Sequence, residues 1–187
     1  MRTGRREQLF PQLINEMALK NNESIFGVEV GVAEGKHAMN LLKNSNLTHL
    51  TCIDPYPNDI IWSLEKDGDK CYQKALNNLE PWIKEGRCKV LRSTGLEEVN
   101  GFDDNSIHFV YLDGDRTPAV YKEEMIKWLS KLKIGGILSG HDYKNKRGFT
   151  VKDMVDTFTA KNDYELMLSG GACRSWYFVK TKCLGST

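Results

Sequence analysis

Residues 25–37 read Ile25-Phe26-Gly27-Val28-Glu29-Val30-Gly31-Val32-Ala33-Glu34-Gly35-Lys36-His37. Ile25–Val30 is a short apolar run of strand type, and a helical pattern running through Leu41-Leu42 begins just past Gly35. The strand therefore leaves through a turn built on two glycines. Gly31 lets the backbone bend sharply out of the strand, and Gly35 lets the helix start close to the sheet. A side chain at either place would keep a ligand from the backbone N–H groups. The spacing is Glu-x-Gly-x-x-x-Gly, with Ala33 where a middle glycine often sits, and not the G-x-G-x-x-G of dinucleotide sites. Glu29 lies two residues before Gly31, and an acid there suits a ligand with a cationic end better than a pyrophosphate. Two glycines at such a turn can also be purely structural.

Outward from this turn, strands and helices alternate. His49–Ile53 is a second strand ending at Asp54-Pro55, and Cys88–Leu91 is a third. Ile107–Leu112 is a fourth, ending at Asp113-Gly114-Asp115, and Ile137–Ser139 a fifth, ending at His141-Asp142. Helical spacing covers residues 5–20 despite Pro11, residues near 70–84, Val120–Leu132 with Gly135-Gly136 as its stop, and residues 150–160. No clear helix stands between the third and fourth strands. Tyr164–Leu168 and Ser175–Val179 form a closing pair, linked so briefly around Ser169-Gly170-Gly171 that they must run antiparallel. The pattern predicts an α/β fold: a Rossmann-like, doubly wound, mostly parallel sheet with its last strand antiparallel. Such sheets bind ligands beyond the carboxyl ends of their strands. Those ends carry Glu29–Gly35, Asp54, Ser93-Thr94, Asp113–Arg116 and His141–Tyr143. Asp54 is placed to accept both hydroxyls of a ribose, or to cap a turn before Pro55.

The chain has 187 residues, 26 Lys+Arg against 25 Asp+Glu, 40% hydrophobic and 27% charged residues. This fits one folded domain over residues 1–187, with the 5–20 helix as a cap or a dimer element. A net charge of +1 does not point to nucleic acid as a partner bound by bulk charge. No apolar run has the length of a membrane span, and MRTGRREQLF lacks the apolar core of a secretory signal. Cys52, Cys71, Cys88, Cys173 and Cys183 are odd in number and show no C-x-x-C spacing. They read as reduced thiols in a cytoplasmic setting.

The Glu-Val-Gly-Val-Ala-Glu-Gly turn, Asp54, Asp113-Gly114-Asp115 and Gly135-Gly136-Ile-Leu-Ser-Gly-His141-Asp142-Tyr143 together resemble the class I S-adenosylmethionine-dependent methyltransferases. The likeness is nearest to a small-molecule O-methyltransferase branch with a DGDH…GG…GHDY pattern, and the helix within Phe149–Phe158 fits it too. The resemblance implies a seven-stranded sheet with S-adenosyl-L-methionine as cofactor. It implies that Glu29, Gly31, Ala33 and Gly35 hold the methionine end with Asp113 beside them, that Asp54 binds the ribose, and that Ser93 and Thr94 lie near the adenine. The branch often has an acid at that last place. Arg116 stands where relatives more often have His, Pro118 where they often have an aromatic residue, and His108 where Asp is usual, so the branch's substrate is not carried over.

Asp113, His141 and Asp142 sit at neighbouring strand ends. In metal-dependent relatives similar positions bind a divalent ion, and a set of two carboxylates and one imidazole suits Mg²⁺ or Mn²⁺. Such an ion would acidify and orient a hydroxyl. Without one, His141 is a general base oriented by Asp113 or Asp142; a structural turn is the third reading. Arg116 could bind an anionic acceptor or pair with Asp142 or Asp115. His37 reads as a first-turn helix residue and Trp128 as core. Trp62 and Trp82 flank a stretch that is either a lid or local packing, and Lys144–Arg147 is either a solvated basic loop or one that attracts an acidic acceptor or an RNA backbone. The reading is a methyltransferase acting on a hydroxyl of a small molecule, of sugar or phenol type. A non-catalytic nucleoside-cofactor-binding protein and a nicotinamide-dependent oxidoreductase are the competitors. The acceptor pocket must come from the N-terminal helix, residues 57–70, the loop after Tyr143, or the second subunit of a homodimer.

Overall fold

A computed structural model describes residues 4–58, 66–144, 150–171 and 174–183. In chain order the elements are α1 (Arg6–Asn21), β1 (Ile25–Val30), α2 (Lys36–Asn44), β2 (Leu47–Ile53), α3 (Gly68–Lys84), β3 (Cys88–Leu91) and α4 (Gly95–Glu98) with a 3₁₀ turn at Val99–Gly101. They continue as β4 (Ile107–Leu112), α5 (Pro118–Lys131), β5 (Leu132–Tyr143), α6 (Val151–Asn162), β6 (Met167–Leu168) and β7 (Arg174–Val179). The strands form one seven-stranded sheet in the order β3-β2-β1-β4-β5-β7-β6. All pairings among β1 to β5 are parallel, and β7 runs antiparallel to both β5 and β6.

Both faces of the sheet are apolar and both are covered, as a parallel sheet requires. Phe109 and Tyr111 of β4 face Leu9, Phe10 and Ile14 of α1 and Leu41 of α2. Val110 and Leu112 face Met125, Trp128 and Leu129 of α5 and Val155 of α6. Alternate residues of one strand thus feed two separate cores. Trp128 is core, as the sequence predicts. Trp82 packs against the α1–α2 core, so it is local packing.

Pro11 stays inside α1 because its neighbour makes up for it. A proline at position 11 leaves the Glu7 carbonyl without its helical donor. The Asn40 side-chain amide of α2 donates to that oxygen at 3.0 Å, which also docks α1 onto α2.

Four expectations are corrected. The α5 helix ends at Lys131 and not at Gly135-Gly136. The glycines instead form an irregularity early in β5, where Gly135 adopts φ +86° and its N–H donates to the Lys180 carbonyl. A short helix, α4, does cross from β3 to β4; four residues are too few to show periodicity, and its signal was the Thr94–Glu97 capping box. The penultimate strand is only Met167–Leu168, because Tyr164 turns inward and stacks on Phe178 at 4.7 Å between ring centroids. The second strand starts earlier, at Leu47. Trp62, the basic run from Asn145 to Arg147, Phe149 and Cys173 lie outside the described residues.

The direction of winding reverses between β1 and β4. Strands β2 and β3 lie on one side of that junction, and β4, β5, β7 and β6 on the other. A crevice opens at the carboxyl ends of two such strands, and ligands bind there.

Candidate active site

The turn after β1 sits at this crevice, and its backbone explains its glycine. Gly31 has φ +84°, and a Cβ built there would lie 2.4 Å from the carbonyl carbon and oxygen of Asp113 and from the amide nitrogen of Gly114. The ends of β1 and β4 are therefore in backbone contact. The Asp113 N–H donates to the Val30 carbonyl at 2.7 Å, and the Gly31 N–H to the Ile53 carbonyl at 2.8 Å. Gly35 is also left-handed, at φ +78°. Ala33 adopts φ +48°, a glycine-like conformation with a methyl group still attached.

Asp54 closes the turn from the end of β2. Its Oδ2 accepts the N–H groups of Val32 at 2.8 Å and Ala33 at 2.9 Å, and its Oδ1 accepts that of Tyr56 at 2.8 Å. One buried carboxylate thus fixes three backbone amides. The turn-capping alternative and the ligand alternative are not exclusive, since Oδ1 accepts only the Tyr56 N–H and keeps a second lone pair.

Beneath the turn is a buried polar group that the sequence did not reveal as one. Glu29 is 2% exposed and His37 is 8% exposed. Glu29 Oε2 and both ring nitrogens of His37 have no hydrogen-bond partner among the described residues. His37 Nδ1 lies 3.4 Å from Glu29 Oε2, and its ring stands 4.2 Å from that of Tyr111, whose hydroxyl meets Ser175 Oγ at 2.8 Å. An unpaired buried polar atom costs about 1–3 kcal/mol. Several together lie at the carboxyl edge of the sheet, the edge at which such sheets bind ligands.

The expected cluster at the ends of β4 and β5 also forms. Ligand atoms of Asp113, His141 and Asp142 lie within 4.8 Å of one another. His141 Nδ1 is 3.7 Å from Asp113 Oδ1 and 3.6 Å from Asp142 Oδ1, too far for hydrogen bonds. Burial pushes the Asp113 carboxyl up to about 7, against the pull of Arg116 and with the push of Glu29 and Asp142. Burial, reinforced by Arg6, holds the His141 ring down to about 4, so it is neutral at pH 7.

Arg116 changes the meaning of this cluster. Its Nη2 donates to Asp113 Oδ1 at 2.6 Å, and its Nε lies 2.5 Å from Asp142 Oδ2. Lys144 Nζ reaches Asp142 Oδ1 at 2.6 Å, and Arg6 Nη1 of α1 stands 3.9 Å from Asp113 Oδ2. The sequence left Arg116 between an acceptor and a partner; it pairs with Asp142 and also with Asp113. The three candidate metal ligands are gathered, but two carboxylates already face three cations. A divalent ion does not fit this arrangement.

Ser93 and Thr94 follow β3 at the same edge. Thr94 caps α4, and both hydroxyls donate to Glu97 Oε2, at 3.1 Å and 2.7 Å. Glu97 therefore brings a carboxylate to a place where the sequence reading found none. His108 serves the opposite edge: its Nε2 meets Glu23 at 3.0 Å, and its Nδ1 accepts the Phe26 N–H.

A family model for a methyltransferase domain (Methyltransf_24) matches residues 28–143. The chain belongs to this family. It is an S-adenosylmethionine-dependent methyltransferase, which sets aside the nicotinamide and non-catalytic readings. No curated protein matches the chain. Among solved structures, a provisionally named caffeoyl-CoA O-methyltransferase from Staphylococcus aureus is 17% identical, with 92% of this chain and 83% of that one covered and a TM-score of 0.62. An rRNA methylase from Streptococcus thermophilus is 13% identical, with 94% of each chain covered and a TM-score of 0.64. A methyltransferase from Geobacter sulfurreducens is 12% identical, with 92% and 78% covered and a TM-score of 0.63. At these identities the likeness is one of fold. Among the described residues, no helix of the methyltransferase is long and apolar enough to cross a membrane.

The residues fit the family's cofactor. The Gly31 turn leaves no room for a side chain, and the Glu29–His37 pair below it offers buried polar atoms without partners.

A second buried acid was not singled out from sequence. Glu124 of α5 packs its Oε1 against Gly95 of α4, and its Oε2 has no hydrogen-bond partner among the described residues. Burial, helped by Asp115, pushes its carboxyl up to about 7. The folded state thus holds this proton more tightly than the unfolded chain does, so stability falls as pH rises between about 4.5 and 7. The loss attributable to Glu124 is at most about 3 kcal/mol. Thermal melts at pH 5 and pH 8 should show a drop in Tm that is smaller in Glu124→Gln. Equal drops in both proteins would contradict the assignment.

Proposed function

We propose that this methyltransferase moves the methyl group of S-adenosylmethionine to a hydroxyl of a small molecule of sugar or phenol type, in the cytoplasm. The observation that carries the reading is the contact between the Gly31 turn and Asp113. It sets the half-buried Asp113 carboxyl, pushed up to about 7, beside the cofactor turn. The five scattered cysteines, without C-x-x-C spacing, suit a reducing compartment.

In this reading Glu29 and His37 hold the methionine end, Gly31, Ala33 and Gly35 let it approach the backbone, and Asp54 offers the remaining lone pair of Oδ1 to the ribose. Ser93 and Thr94 border the adenine, with Glu97 as the acid there. When bound, the cofactor supplies an electrophilic sulfonium methyl group. Asp113 receives the acceptor's proton at Oδ2, while Arg116 holds Oδ1 and fixes the plane of the carboxylate. A carboxyl near pKa 7 is a far better base at neutral pH than one near 4, and less basic groups lose driving force. His141, neutral at pH 7, hydrogen-bonds the acceptor oxygen and orients it. Positioning of this kind supplies about 7–11 kcal/mol of the barrier in well-oriented reactions.

The test is transfer of labelled methyl from S-adenosylmethionine into pools of sugars, phenols and RNA. Label is expected in a small-molecule pool. Asp113→Asn should lower kcat by about 10²–10⁴-fold, and His141→Ala should lower it less. Label in RNA alone, or an Asp113→Asn protein with full turnover, would overturn the proposal.

A further inference from the structure

We propose that Arg116 is the resident cation of the Asp113–His141–Asp142 cluster, and that the protein works without a divalent metal ion. The inference rests on the acceptor side of the site proposed above, but its test does not use turnover.

Four carboxylate oxygens border the cluster, and each faces a cationic side chain. Arg116 takes one oxygen of Asp113 and one of Asp142; Arg6 faces the other oxygen of Asp113 and Lys144 the other of Asp142. The planar guanidinium bridges the end of β4 to the end of β5, which is the span an ion would bridge. It presents donors in a fixed fork that matches two carboxylates at once, and it stays charged at every accessible pH. The backbone is shaped for this contact. Asp142 adopts φ +59°, and the pairing of β5 with β7 shifts register between Gly140 and Tyr143. A left-handed aspartate costs stability that its surroundings must offset, and the contacts with Arg116 and Lys144 do so. Two carboxylates without counter-charges would draw a dication strongly. Two carboxylates among three cations repel one.

The arrangement makes Arg116 a positioning residue for Asp113. An ion would activate a hydroxyl by binding it directly. A guanidinium whose Nη2 and Nε face carboxylates and whose Nη1 donates to the Gly114 carbonyl leaves the proton transfer to Asp113.

The test is Mn²⁺ binding to the full chain, followed by the electron spin resonance signal of free Mn²⁺ and by thermal melting. Wild type should leave the free-ion signal unchanged, and its Tm should not respond to Mn²⁺ or EDTA. Arg116→Gln, which keeps donors but removes the charge, should bind Mn²⁺ at least about tenfold more tightly than wild type. Its Tm should rise on adding the ion, and Asp142→Asn on top should cancel the gain. Arg116→Ala serves if the Gln variant does not fold. Stoichiometric Mn²⁺ binding by wild type would overturn the proposal, as would Arg116 variants that fold and remain blind to the ion. If the acceptor reading alone is wrong, the metal results stand and only the methyl-transfer assay fails.

Discussion

Replacing Gly31 with alanine is expected to abolish measurable S-adenosylmethionine binding and to lower Tm by about 6–12 °C, the shift that roughly 3 kcal/mol makes in a chain of this length. Two effects add. Alanine at φ +84° carries a left-handed penalty of about 1–2 kcal/mol. Its methyl group must also push apart backbone atoms of Asp113 and Gly114 that lie 2.4 Å from the Cβ position, and backbone at the end of a central strand has no alternative rotamer. The strand ends that form the crevice separate, and the cofactor turn and Asp113 lose their register. Gly86→Ala separates the two effects. Gly86 is left-handed as well, at φ +72°, but nothing lies within 4 Å of its Cβ position. That variant should lose about 1–2 kcal/mol and bind the cofactor normally. Differential scanning calorimetry and cofactor titration of both variants check the pair. Equal behaviour of the two would show that the contact with Asp113 does not matter.

Asp54→Asn is the second large effect. The carboxylate accepts from Val32, Ala33 and Tyr56. An asparagine has one acceptor oxygen, so its amide nitrogen must face either the two turn amides or that of Tyr56, donor against donor. Hydrogen bonds to a charged acceptor contribute about 1.5–3 kcal/mol, and a buried amide left unpaired costs more. We expect Tm to fall by about 4–12 °C for a loss of roughly 2–3 kcal/mol. Cofactor affinity should fall by about 30-fold or more, because the turn relaxes and the ribose acceptor is lost together, at 1.4 kcal/mol for each factor of ten. Adenosine alone should lose affinity through the ribose, and the whole cofactor should lose more, because the Val32 and Ala33 amides that Asp54 holds belong to the turn at the methionine end. Titration with both ligands reads this directly. An unchanged affinity for adenosine would remove Asp54 from the ribose.

The contrast between Gly31 and Arg116 shows what was legible in the sequence. The strands β1 to β4 are runs of apolar, often β-branched residues closed by polar ones, so their burial could be read from local pattern. Asp54, Asp113 and His141 were found because parallel strands place their carboxyl ends at one edge. Arg116 was noticed only as a departure. Its position between two carboxylates depends on the left-handed turn at Asp142, and no local residue pattern announces that turn. His37 read as a first-turn residue, and it is one. That its ring lies under Phe10 of α1 beside Glu29 follows from how α1 docks, a contact between distant parts of the chain. Glu124 shares a face of α5 with core residues, and one acid in an apolar stripe was the only sign available. Its meaning came from Gly95, which has no side chain to mark the contact.

The central claim is that the crevice between β1 and β4 holds S-adenosylmethionine. Isothermal calorimetric titration of the purified protein with that compound, and with NAD in parallel, tests it most directly. Saturable binding of one S-adenosylmethionine per chain, with no heat from NAD, is the predicted result. No binding of S-adenosylmethionine, or binding that Gly31→Ala leaves intact, would contradict it.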